Sequence, residues 1–157
     1  MTKDRDFKQV VRARMAETGE SYTAARATLE QTAYDAARRD QARLVRQLFR
    51  DGRLAQVPAK RKRRAGALLE VLARFEPGRT YTEPEVNEVL LGVNEDFAYL
   101  RRELVNYHYL ERADGRYRVV AVAPARAPIE QQEIPDWEAV WLPGFLAGGS
   151  RGDAARP

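Results

Sequence analysis

The sequence contains no cysteine and a single histidine, His108. The first absence removes disulfides, cysteine-bound zinc and thiol catalysis together, and it suits a reducing compartment. With one histidine as well, too few soft ligands remain for a structural metal site. No run approaches the roughly 18 consecutive apolar residues that a membrane span requires, so no membrane association is expected. The opening "MTKDRDFKQVV" carries charges where a signal peptide has its apolar core, and a cytoplasmic location is expected. A Gly-rich phosphate loop and a nucleophile elbow are both lacking. Glu83, Glu85 and Glu88 share one short segment without a partner histidine and read as a solvated face. No catalytic residue, metal or cofactor is therefore expected, and the chain does not read as an enzyme. The tripeptide "RGD" at 151–153 reads as a chance match.

What the chain has is charge, unevenly placed. The net charge is only +4 over 157 residues. From Arg38 to Arg64, however, eleven Lys and Arg stand against Asp40 and Asp51, a local balance of +9. A basic segment on a nearly neutral body suits contact with phosphates or an acidic partner. A solvated helix face followed by a basic linker explains it equally well.

Apolar periodicity divides the chain into helices. Residues 6–18 place Phe7, Val10, Val11 and Met15 on one stripe, and Gly19 stops that helix. Ser21 reads as the N-cap of a second helix with Tyr22, Ala25 and Leu29 on one side. A third, from about Tyr34 to Arg50, carries the stripe Ala37, Gln41, Leu44, Val45 and Leu48, which suits pairing with a symmetry mate in a homodimer. "DGRLAQVP" is then a helix stop and a turn. "RRAGALLEVLARF" places Ala65, Leu68, Leu69, Leu72 and Phe75 at helical spacing. A short extended piece at Thr80 to Thr82 leads to a capping box, with Thr82 as cap, Pro84 in the first turn and Glu85 three residues on. Val86, Val89 and Leu90 face inward there. Asn94 reads as the cap of a further helix burying Phe97, Leu100 and Leu104. Two extended runs about Asp114-Gly115 form a hairpin. This order predicts a mainly α fold with a small β-hairpin: a winged helix-turn-helix at 52–123, preceded by a helical segment at 1–51. Residues 124–157 hold five of the eight prolines and read as a linker, an aromatic-bearing segment from Trp137 to Phe145, and a frayed tail. Trp137, Trp141 and Phe145 recur every four residues. They are expected to dock on the chain's own helices, the alternative being an anchor for a partner or second subunit.

The pieces "VP.K.K", "FEPGR.YTE.EVN..L", "D...LRREL", "YLER" and "G.YR" occur in order across about residues 52–119. On these motifs the block resembles the bacterial family known as domain of unknown function 2087. The resemblance implies a winged-helix-like fold found in transcription regulators, often beside another helix-turn-helix, with no catalytic activity attached. The N-terminal "FKQVVRARMAETGESYTAAR" is similar to a short motif of uncharacterised actinobacterial proteins and names no function.

With Leu100 at the centre of the buried face and a step of about 100° per residue, Phe97 and Leu104 fall within about 60° of it. Arg102, Tyr99 and Asn106 fall on the far side, which in a winged helix meets the major groove of double-stranded DNA. There a guanidinium can read guanine and an amide adenine. Arg101, at the flank, is expected to fold back onto Asp96 or Glu85. Arg112, Arg116 and Arg118 on the wing, with Lys60, Arg61, Lys62, Arg63 and Arg64, are the expected phosphate contacts. Against this, the helix also carries Glu95, Asp96 and Glu103, giving it a charge of −1. His108 is expected to pack with Tyr107 and Tyr109 or to cap the helix end. Two functions compete: a DNA-binding transcription regulator or accessory factor, and a protein-interaction or dimerisation module that binds no DNA.

Overall fold

A computed structural model describes residues 2–148 of the chain, so the "RGD" tripeptide and the expected frayed end lie outside the described residues. The chain divides into two compact units, residues 1–36 and 37–157. Residues 37–51, which the sequence pattern groups with the N-terminal helices, fall in the second.

The first unit holds α1 (Thr2–Thr18) and the opening turns of α2 (Tyr22–Leu48). Gly19 at φ 73° ends α1, and the Ser21 hydroxyl accepts from the Ala24 amide at 3.2 Å to start α2. Arg14 pairs with Glu20 at 2.8 Å across the turn. Val11 and Ala25 are buried, whereas Val10, expected on the apolar stripe, is 52% exposed. Adjacent residues stand about 100° apart on a helix, so only one of the two valines can take the buried position.

The sequence pattern separates a helix at 22–31 from one beginning near 34, but α2 is one helix of 27 residues. No glycine or proline interrupts the junction. The Thr28 and Thr32 hydroxyls donate back to carbonyls four residues earlier, at 3.0 and 2.9 Å, and Gln31 donates to Asp35 at 2.9 Å. The polar residues across the junction are satisfied within the helix itself.

In the second unit α2 leads into β1 (Phe49–Arg50) and β2 (Arg53–Leu54), a tiny antiparallel hairpin where only a turn was expected. Asp51 and Gly52 both take positive φ, 52° and 76°, the pair a two-residue type I′ turn requires. Then follow α3 (Arg61–Leu72), β3 (Thr80–Thr82), α4 (Glu83–Leu91), α5 (Phe97–Asn106), β4 (Leu110–Ala113) and β5 (Arg116–Val119). The order helix, strand, helix, helix, strand, strand is the one expected. The three strands form an antiparallel sheet in the order β3-β5-β4. The fold is mainly helical with two small antiparallel sheets.

Local chemistry sets these boundaries. The Thr82 hydroxyl accepts from the Glu85 amide at 3.3 Å while the Glu85 carboxylate accepts from the Thr82 amide at 3.1 Å, so the expected capping box is formed. The cap of α5 is Asp96, not Asn94: its carboxylate accepts from the Tyr99 amide at 3.2 Å. Asn94 instead donates to the Leu54 carbonyl at 2.7 Å, and Leu54 donates to the Val93 carbonyl at 2.9 Å. The β1–β2 hairpin is thereby tied to the α4–α5 turn. At the far end of α5, His108 at φ 62° donates to Val105 and Tyr109 donates to Leu104, at 3.0 and 2.9 Å. This is a Schellman stop with a histidine where glycine is usual. His108 ends the helix and is exposed rather than packed, while Tyr107 and Tyr109 stack on each other.

The core gathers Leu68, Leu69 and Leu72 of α3, Val86 and Leu90 of α4, and Leu100 and Leu104 of α5, all within 1% of full burial. It does not end at residue 123. After α6 (Pro128–Gln131), α7 (Glu138–Leu146) returns to α3 and buries Trp141, Leu142 and Phe145. The aromatic segment docks on its own chain, and Pro143 lies within α7. Among the described residues no helix is long and apolar enough to cross a membrane.

Candidate nucleic-acid interface

The α5 helix faces two environments. Leu100 and Leu104 are fully buried, while Ala98, Arg102 and Asn106 are exposed on the opposite side. The Arg102 guanidinium stands 5.9 Å from the centroid of the Tyr99 ring, within cation–π range, and has no acidic partner among the described residues. Asn106 donates to Glu103 at 3.1 Å. Of the three residues expected at the groove, Arg102 and Asn106 are exposed and Tyr99 is half-buried.

Arg101 does fold back, but onto different groups than expected. It donates to Asn87 and lies 3.5 Å from Glu83 of α4. Asp96 is occupied by the helix cap and Glu85 by its capping box and Arg79. Glu83 also takes Arg112 at 3.8 Å and the Tyr117 hydroxyl at 3.4 Å. The reading of Glu83, Glu85 and Glu88 as one solvated face holds only for Glu88, which is exposed. Glu83 is a junction joining α4, α5, β4 and β5, a role that helical spacing alone does not reveal.

The arginines of β4 and β5 separate. Arg112 opposes Tyr117 in the β4–β5 register, so its side chain leaves on the Tyr117 face, where its guanidinium lies 5.6 Å from that ring. Arg116 and Arg118 alternate with buried Tyr117 and share the other face. Arg118 pairs there with its cross-strand neighbour Glu111 at 2.8 Å. Arg116 is exposed and has no acidic partner among the described residues.

The basic run separates in the same way. Arg61 pairs with Glu133 of the C-terminal segment. Arg63 donates to Gln47 at 3.0 Å. Arg64 is half-buried, lies 3.8 Å from Glu103 and donates to the Ala59 carbonyl at 3.3 Å. Lys60 and Lys62 are exposed, and neither has an acidic partner among the described residues. Of the eight cations placed on phosphates from sequence, the side chains of Lys60, Lys62 and Arg116 have no polar partner among the described residues, and Arg61, Arg64, Arg112 and Arg118 are engaged by carboxylates.

Sequence reasoning missed a buried polar group behind this surface. Arg126 and Glu138, in the tail, pair at 3.1 Å with side chains only 7% and 6% exposed, and Tyr109 donates its hydroxyl to the same carboxylate. Burial, with Glu138 beside it, pushes the Tyr109 phenol far above its ordinary value, so it stays protonated and donating. An arginine and a glutamate flanking an aromatic segment were the available signal, and nothing in their spacing distinguishes them from linker charges.

Among the described residues no group of three His, Asp or Glu side chains is arranged to hold a metal ion. No curated protein and no solved structure matches the chain. Residues 53–119 match the model of a family described as an uncharacterized protein conserved in bacteria, and this segment is a domain of that family, domain of unknown function 2087.

Proposed function

We propose that the protein is a non-catalytic, cytoplasmic DNA-binding transcription regulator or accessory factor that uses its second unit as a winged helix. The helix–strand–helix–helix–strand–strand order with sheet order β3-β5-β4 supports that architecture. The observation that carries the reading is the position of Arg102. It lies in water over Tyr99, directly away from Leu100 and Leu104, on the helix that a winged helix inserts into the major groove. Arg102 and Asn106 would read base edges and Tyr99 would reach a phosphate or a thymine methyl. Lys60, Lys62 and Arg116 would meet phosphates directly. Arg61, Arg63, Arg64, Arg112 and Arg118 would have to exchange a present partner for a phosphate, and so contribute less.

The test is a salt titration of binding to a mixed-sequence duplex. Each phosphate contact adds about 0.9 to the log–log slope, so a reading with three direct contacts expects a slope of about −3. A flat salt response, or no retention at low salt, would overturn it.

The second reading is an interaction module that binds no DNA. It is favoured by the pairing of four of the expected phosphate contacts with acids, and by a groove of about 680 Å³ beside the wing, lined by His108, Leu110, Val120 and Val122. Val122 is 79% exposed there. This reading expects a stable dimer or heterocomplex and no DNA retention.

A further inference from the structure

A second cleft, of about 370 Å³, opens where α2, α3 and the segment leading into α7 converge. Its volume is at the small end of the range for small-molecule sites, roughly 300–1,000 Å³. Leu44 and Trp137 form the apolar wall. Gly66 of α3 lets them meet. A Cβ at that position would come within 2.2 Å of Leu44 Cδ2 and 3.4 Å of Trp137 Cζ2. Trp137 is also held from behind, edge-on to Trp141 at 6.3 Å and 88°, and Trp141 is stacked on Phe145 at 5.0 Å. The indole is therefore fixed in orientation by the core while remaining only half-buried itself.

Three cations surround this wall: Arg43 of α2 with Lys62 and Arg63 of α3. Their present engagements are light. Arg63 is steadied by Gln47 at 3.0 Å, Arg43 lies 3.9 Å from Asp40, and Lys62 has no acidic partner among the described residues. Asp40 and Asp136 also line the cleft, which leaves a net lining charge of +1. An oriented indole face favours a flat aromatic ring in offset or edge contact. Guanidinium and ammonium donors at its border favour a carboxylate. The single surplus charge favours one carboxylate over two, since a second would face Asp40 or Asp136.

We infer that this cleft is a binding site for a planar aromatic monocarboxylate of one or two fused rings, the ring lying against Trp137 and Leu44 and the carboxylate against Lys62 and Arg63. Lys62 and Arg63 are also among the phosphate contacts proposed above, so the test contains no nucleic acid and reads the cleft alone. The full-length protein is titrated calorimetrically with 2-naphthoate, with the neutral 2-naphthamide and with 2,6-naphthalenedicarboxylate. Saturable 1:1 binding of 2-naphthoate is expected, at least tenfold tighter than either of the other two. The Lys62→Gln/Arg63→Gln variant, with its melting curve checked against the parent's, should lose at least tenfold in 2-naphthoate affinity while binding the amide as before. Binding should also quench the emission of the parent but not of Trp137→Phe, in which Trp141 is the remaining tryptophan of the chain's two. Equal affinity for acid and amide, unchanged binding in the double variant, or no saturable heat would each overturn the inference.

Discussion

The Arg126 guanidinium and the Glu138 carboxylate meet at 3.1 Å in an interior site, and this pair fastens the C-terminal segment to the end of α5. Arg126 also donates to the Tyr107 carbonyl at 2.8 Å and lies 5.4 Å from the Tyr109 ring. Glu138 accepts from Tyr109 besides. One cluster therefore joins the residues just after α5, the linker and the start of α7.

Removing one partner leaves the other charged and buried without compensation. Glu138→Ala or Arg126→Ala is expected to cost about 3–5 kcal/mol, whereas an apolar pair of similar volume, Arg126→Met with Glu138→Leu, is expected to cost much less than either alone. Urea unfolding of the three variants checks this. Equal destabilisation by the single and double variants would show that the charges themselves are not the issue.

The tail should be part of the folded unit rather than an appendage. Trp141 is 1% exposed, and Trp141→Ala is expected to cost about 3–5 kcal/mol. A midpoint in urea that hardly moves would mean that α7 detaches without cost to the domain.

The capping box of α4 makes a pH-dependent contribution. The Thr82 backbone and hydroxyl, with Arg79 beside them, hold the Glu85 carboxyl below its ordinary value. A carboxyl depressed in the folded state stabilises the fold above its unfolded pKa, and that contribution is lost as pH falls through the folded pKa. Thr82→Ala is expected to cost about 0.5–2 kcal/mol at neutral pH. The difference from the parent should narrow as pH falls below the ordinary carboxylate range, read from thermal melts between pH 7 and pH 3. A gap that stays constant to the lowest pH would contradict the role given to Glu85.

Arg118 is paired with Glu111, so under the DNA-binding proposal Glu111 would compete with phosphate for it. Glu111→Gln should release it, tighten binding to every duplex and steepen the salt slope by about 0.9. Arg116→Ala should weaken all duplexes alike and flatten the slope by about 1. Arg102→Ala should instead cost about 1–3 kcal/mol on a preferred sequence and little on others. Selection of a duplex from a random pool, followed by titrations of the three variants, distinguishes these responses.

Much of the local structure was written in short stretches of chain. Thr82, Pro84 and Glu85 announce the start of α4, and Asp114-Gly115 announces the β4–β5 turn, because both features are satisfied by atoms within four residues. The same signal was present at Asp51-Gly52. There the flanking strands are only two residues each, too short to show alternation, so the hairpin was hidden. Helical phase likewise placed Leu100 and Leu104 inside and Arg102 outside.

By itself, then, the sequence determined the order of elements from α3 to β5 and the two faces of α5, since hydrogen bonds between near neighbours and apolar periodicity operate before any packing. Only the tertiary structure decided which charge meets which. Glu83 with Arg101 and Arg112, Arg61 with Glu133, Gly66 beneath Leu44 and Trp137, and Tyr109 with Glu138 are all pairs far apart in the chain. A charge carries no information about its partner until folding has fixed the distance between them, because the interaction depends on separation and local dielectric rather than on position along the chain.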